Sequence, residues 1–193
     1  MLLDIFRRSH QNKALKSAFE GRFEFVINAS VLKSALDSGA DPDTSVRWQN
    51  TVVGGDWEVP GLVATTLIKG SLIGDLPVLD VHAADILLSA GADPHKRWKG
   101  RGLGLGWSFS QWVHETGCQE GWDLLKRHRI DPAFILSLPP VKQGYGHDLP
   151  KGSPFREMVR AEMSGVVVSS QQAVELEMET PKVPSSRSRV SRL

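Results

Sequence analysis

The chain has 193 residues, 40% of them hydrophobic and 23% charged, enough for one domain with a core plus added segments. A formal net charge of +1 gives no global field toward nucleic acid or a membrane surface. The single cysteine, Cys118, excludes an internal disulfide framework and fits a reducing compartment, and no apolar run approaches the ~20 residues of a membrane span.

The start, MLLDIFRRSH, places its apolar patch ahead of its charges, the reverse of a secretory signal, so no leader is expected. Leu2–Phe6 reads as part of an incomplete helix laid over an open end. NKALKSAFEG then gives a short apolar helix ending at Gly21, and RFEFVI reads as a lengthened loop. Val31, Leu32, Ala35 and Leu36 share one helical face. That helix ends at Gly39, where glycine takes a left-handed conformation without steric cost, and Pro42 blocks return to helix.

The stretch from Arg47 to Val63 reads as a projecting finger, with Gly54-Gly55 as a two-residue hairpin turn. TTLIKGSLIG is expected to be the next short helix, ending at Gly74, with DLPVL as another lengthened loop. Asp80, His82 and Asp85 mark a helix start, where acidic groups complement the dipole. Ala83, Ala84, Leu87 and Leu88 repeat the earlier face, and Gly91-Ala92-Asp93-Pro94 repeats Gly39-Ala40-Asp41-Pro42. HKRWKGRGLGLGW forms a second finger. SFSQWVHETG to Gly117 and GWDLLKRHRIDP give a third pair, with Arg129 at the position of the closing glycine and therefore under strain.

Helix, glycine, helix, glycine and extended exit, three times over, resembles the ankyrin repeat across roughly residues 12–132. Thr65-Thr66-Leu67-Ile68 keeps the threonine and leucine of that family's Thr-Pro-Leu-His start, whereas Ser108-Phe109-Ser110-Gln111 keeps little beyond a hydroxyl. The resemblance implies an all-α fold: a short solenoid of about three irregular helix-pair repeats with hairpin fingers and a disordered C-terminal tail. It implies a protein-binding surface on the fingers and the concave helix face, and no catalysis.

The expected divisions are a repeat domain over 1–140, a loop and capping helix over 141–163, and a disordered tail over 164–193. Within the second, SPFREMVRAEM carries Ser153 as N-cap and Phe155, Met158, Val159 and Met163 on one face. From Ser164 onward no core pattern persists.

Trp112 and Trp122 fall at apolar helix positions and read as core. The finger residues Arg47, Trp48, Trp57, Lys96, Arg97, Trp98 and Trp107 are the candidate protein-binding set, since tryptophan and arginine dominate binding hot spots. The competing role for these tryptophans is local packing that holds the fingers. Lys96, Arg97, Lys99 and Arg101 form a basic patch suited to an acidic protein. No nucleic-acid motif accompanies it.

Gly100–Gly106 is the alternative, a nucleotide-binding or enzymatic loop, but the preceding PHKRWK is not an apolar strand and the glycine spacing is not that of a phosphate loop. His114 and Cys118 lie four residues apart with no third orienting group and no further metal ligands. The expectation is a cytoplasmic chain with no cofactor, metal or small-molecule substrate. Its partner is an unidentified protein, with neither nucleic acid nor membrane, and its N-terminal end offers self-association. Ser191-Arg192-Leu193 resembles a peroxisomal address and gives the alternative localisation.

Overall fold

The computed structural model describes residues 2–21, 24–50, 55–68, 78–98, 106–131 and 160–165. In chain order these give α1 (Leu2–Ser17), β1 (Phe19–Glu20), β2 (Val26–Ile27), α2 (Ala29–Asp37), β3 (Ser45–Asn50) and β4 (Gly55–Pro60). Then follow α3 (Gly61–Ala64), α4 (Val81–Ser89), α5 (Phe109–Thr116), α6 (Gln119–Arg127) and a final short helix α7 over 160–165.

The fold among the described residues is mixed α/β, with two small antiparallel sheets, and this corrects the all-α expectation. RFEFVI is not simply a loop. Val26 and Ile27 pair with Glu20 and Phe19 across a turn opened by Gly21 at φ 108°, where a Cβ would lie 2.2 Å from the Glu24 carbonyl oxygen. Phe25 then packs edge-on against Phe19 and donates its N–H to the Leu67 carbonyl at 2.8 Å.

The second sheet is the first finger, a hairpin as expected. Its register sets Asn50 opposite Gly55, so the connection is the four residues 51–54 and not a Gly54-Gly55 turn; residues 51–54 lie outside the described set.

The second correction concerns the first helix of the middle unit. Among the described residues its helix is α3, which follows β4 directly from Pro60, and residues 69–74 of the expected helix lie outside the described set. Thr65 and Thr66 do not start a helix. Their hydroxyls donate back to the carbonyls of Leu62 (2.6 Å) and Val63 (2.8 Å), the bonding that competes with helix continuation, and α3 ends there. The unit that starts on a hydroxyl is the third. Ser108 caps α5 in a reciprocal box with Gln111, each side chain meeting the other's backbone N–H. Asn28 and Asp80 cap α2 and α4 in the simpler one-sided way.

The helix ends follow the sequence reading. α2, α4 and α6 close on Gly39 (φ 97°), Gly91 (φ 88°) and Arg129 (φ 55°). At each, the left-handed residue donates to the carbonyl three back and its successor donates to the carbonyl five back: Ala40 to Ala35, Ala92 to Leu87, Ile130 to Leu125, all at 3.0 Å.

α2 packs on α4 and α4 on α6, while α1 packs on α2 and α5 on α6. Their inner faces bury Leu15, Leu32, Leu87, Trp112, Trp122 and Leu125 into one core. Trp112 and Trp122 are core, as their positions suggest. Leu2–Phe6 is helical but is the first part of α1, continuous with the helix that carries Leu15, and not a separate element.

Two polar bonds hold the exits, the first to α1 and the second between successive exits. The Asn12 carboxamide oxygen accepts from Asp41 N–H, and the Asp43 carboxylate accepts from Asp93 N–H, both at 2.9 Å. At the far end α7 seats Met163 with no exposure, and Arg160 donates to the His114 and Glu115 carbonyls and pairs with the Glu115 carboxylate. The rest of the expected 153–163 helix and the tail beyond 165 lie outside the described residues. No helix among the described residues is long and apolar enough to cross a membrane.

Candidate functional site

The two fingers are built to one plan. Trp57 follows Trp48 by nine residues, and Trp107 follows Trp98 by nine. In the first finger the register sets Trp48 directly across from Trp57. In the second, Gly106 N–H donates to the Trp98 carbonyl at 2.9 Å, which closes the neck at the corresponding place. A Cβ on Gly106 would fall 1.8 Å from the Trp98 ring, so only glycine lets the backbone pass the indole.

Trp98 is the hub. Its ring meets Trp48 at 6.1 Å, Trp57 at 5.2 Å and Trp107 at 5.2 Å between centroids, with interplanar angles of 86°, 84° and 86°. Edge-to-face contact sets the positive ring edge against a negative ring face. All four side chains are at most 5% exposed. Alternation along the hairpin turns Val46, Trp48, Trp57 and Val59 inward and Arg47 and Glu58 outward.

Of the seven candidate binding residues, four are therefore closed to solvent in the folded chain, and the packing role describes them. The two basic residues beside Trp98 also hold the scaffold. Lys96 Nζ donates to the Asp43 carbonyl at 2.7 Å, and Arg97 Nε donates to the Gly106 carbonyl at 2.6 Å. Both are half-buried. Arg47 stays exposed, directly across the hairpin from exposed Glu58. The sequence holds the signal for the quartet, the repeated nine-residue spacing, which the reading by composition passed over.

The remaining chemistry is quiet. Of Gly100–Gly106, Gly106 is occupied by the Trp98 neck and residues 100–105 lie outside the described set. His114 sits on α5 and Cys118 at the N-cap of α6, separated by the left-handed turn at Gly117. His114 Nδ1 lies 3.4 Å from the Glu115 carboxylate, and Cys118 Sγ contacts the Glu120 carboxylate at 3.5 Å. Burial pushes the Cys118 thiol up to about 12, so it carries no thiolate at neutral pH. Asp85 on α4 meets His128 Nε2 at 2.8 Å and Arg127 at 3.3 Å. The His128 hydrogen bond, ahead of the Arg127 charge, holds the Asp85 carboxyl below its usual range, and the pair ties α4 to α6. No group of three or more His, Cys, Asp or Glu among the described residues is placed to hold a metal.

One groove lies between α1 and α2, about 450 Å³, with Ala14, Val31 and Ala35 as floor and Ser30, Ser34 and Ser38 along one wall. Counting back from the left-handed residue, Ser34 occupies the position of Ile86 in α4 and Leu124 in α6. Leu124 is fully buried and Ile86 half-buried. At this one position α2 is polar where the other two units are apolar. Comparison of the chain with protein-family models, with curated proteins and with solved structures returned no match.

Proposed function

We propose that the chain is a protein-binding module of degenerate ankyrin-type units, without catalysis, that presents the stems of its two fingers as one surface. The observation that carries this reading is the tryptophan quartet. Trp98 contacts both Trp48 and Trp57 of the neighbouring finger, so the two stems are fixed relative to one another. Pre-ordered stems lower the ordering cost that a binding surface otherwise meets on association. The contact residues are then the outward ones, Arg47 and Glu58, and the finger tips, not the tryptophans. A protein partner fits this surface better than nucleic acid or membrane, since the basic side chains of Lys96 and Arg97 are engaged with backbone carbonyls. The reading places the protein in the cytoplasm, with Ser191-Arg192-Leu193 as the alternative, peroxisomal address.

Affinity capture with the intact chain tests it. A partner held by the wild type should be lost from an Arg47→Glu, Glu58→Arg double variant, with circular dichroism unchanged. Equal capture by both proteins would remove the finger surface from the reading.

A further inference from the structure

The first helices of the three units end on hydroxyls of their own. Ser17 donates to the Ala14 carbonyl at 2.7 Å after α1, Thr65 and Thr66 to those of Leu62 and Val63 after α3, and Thr116 to that of Trp112 at 2.7 Å in α5. Gly117 N–H takes the Val113 carbonyl at 2.9 Å. The next two carbonyls of α5 are met from far along the chain. Arg160 of α7 donates from Nε to the His114 carbonyl at 3.1 Å, and from Nη2 to the Glu115 carbonyl at 3.2 Å and its carboxylate at 3.0 Å. The last carbonyls of a helix carry partial negative charge, and Glu115 adds a full one, so the place suits a guanidinium.

α7 brings two further anchors. Glu162 accepts from Lys126 Nζ at 2.7 Å, an ammonium that also bonds Asp123 at 3.1 Å within α6. Met163 is fully buried in the core. Three anchors of different chemistry thus fall within four consecutive residues. Covering the end of a stack requires only a polar outer face, so this matching is more than a cap needs. α7 belongs to no helix pair, and residues 132–159 separate it from the α6 exit. A helix of six residues is not stable alone in water, so α7 owes its helix to the seat that receives it, as a peptide that folds on binding does.

We propose that this seat at the α5–α6 end is a peptide-binding site, which α7 holds closed in cis and which takes from a partner protein a short helical segment carrying an arginine, an acid two residues on, and a methionine directly after the acid.

The surface is separate from the fingers and does not depend on them. A tethered α7 stands at an effective concentration of about a millimolar, so an outside segment competes only where it makes more contact or where α7 is weakened. The test uses the full chain and, as probe, a fluorescent synthetic peptide of residues 159–167 read by anisotropy. A full-length Met163→Ala chain, whose own α7 lacks its buried anchor, should bind the peptide roughly tenfold more tightly than the wild type does. Peptides carrying Arg160→Ala or Met163→Ala should bind that chain roughly tenfold more weakly than the native peptide. Adding Lys126→Glu to the chain should weaken the native peptide, and a Glu162→Lys peptide should restore binding. No saturable binding to the Met163→Ala chain, or equal binding of the native and Arg160→Ala peptides, overturns the proposal. So does a wild-type dimer that the peptide converts to monomer, since the occupant is then the α7 of a second copy. Should the Met163→Ala chain not fold, hydrogen exchange in the wild type decides. Corrected for intrinsic rates, the α7 amides should exchange roughly tenfold faster than those of 122–125, as a segment that leaves its seat before the core opens. Equal protection, with the seat opening only when the whole fold does, overturns it.

Discussion

Arg129 holds φ 55° where its two counterparts are glycines, and its side chain is exposed, so nothing the side chain touches offsets the backbone cost. A non-glycine residue in the left-handed region loses about 1 kcal/mol. Arg129→Gly should therefore stabilise by roughly 0.5–1 kcal/mol, less than the full cost because glycine also loosens the unfolded chain. Gly91→Val runs the argument the other way. Space at Gly91 is open, with nothing within 4 Å of a built Cβ, so the loss there is conformational alone, roughly 1–2 kcal/mol for a β-branched side chain. Gly106→Ala has a different origin and a larger effect, since the new methyl meets the Trp98 ring. Urea denaturation midpoints separate the three, and no change in either Gly91→Val or Arg129→Gly would show that these residues do not govern the helix ends. Such positions were legible because a helix end is a local event. Glycine, small residue, aspartate and proline in order suffice to specify it, and Arg129 stood out as the break in that order.

At the scale of elements, legibility fell with the distance over which the deciding contact acts. The first finger could be read as a hairpin from its own residues, although its register could not. The burial of its tryptophans could be read only as one of two roles, because it depends on the second finger, whose Trp98 closes over Trp48 and Trp57 from fifty and forty-one residues away in sequence. The β1–β2 pair was missed for a related reason. Its two-residue strands are held by Phe25 reaching Leu67, a partner no local pattern names. The displaced α3 follows from the hairpin too, since the paired length of β4 fixes where the helix can begin. The quartet gives a sharp expectation. Trp98→Ala should destabilise by roughly 3–5 kcal/mol, comparable with Trp122→Ala in the core, because both remove a fully packed indole. A Trp98→Ala protein with wild-type thermal stability would show that the fingers stand without their hub. Cys118 supplies a second readout for the same protein. Buried and fully protonated at neutral pH, it should resist thiol reagents until the α5–α6 unit opens, so its labelling rate reports that unit alone.

Across the whole molecule the two ends of the row of second helices are finished differently. At the α6 end, α7 places Met163 in the core, pairs Glu162 with Lys126 at 2.7 Å and bonds Arg160 to the last carbonyls of α5. A chain ending at residue 159 should lose several degrees of Tm relative to one ending at 165, with faster Cys118 labelling, and Met163→Ala should reproduce roughly 2–4 kcal/mol of it. Equal melting of the two truncated chains would show that α7 adds nothing. At the α2 end there is no added helix among the described residues, and the finish is chemical. Stacked units bury apolar faces against each other, so an end unit needs a polar outer face. Ser34 stands where Ile86 and Leu124 stand in the other units, and Ser30 and Ser38 continue the polar line one turn to either side. That wall works against the self-association expected from the apolar start of the chain, because a second copy docking there would bury three hydroxyls for little apolar gain. Ser34→Leu should reverse this. It would complete the apolar floor of Ala14, Val31 and Ala35 and leave a patch of the kind that drives association. Light scattering should find the wild type less associated than Ser34→Leu at matched concentration. If the wild type already associates and Ser34→Leu does not change it, the serine wall is not what finishes this end.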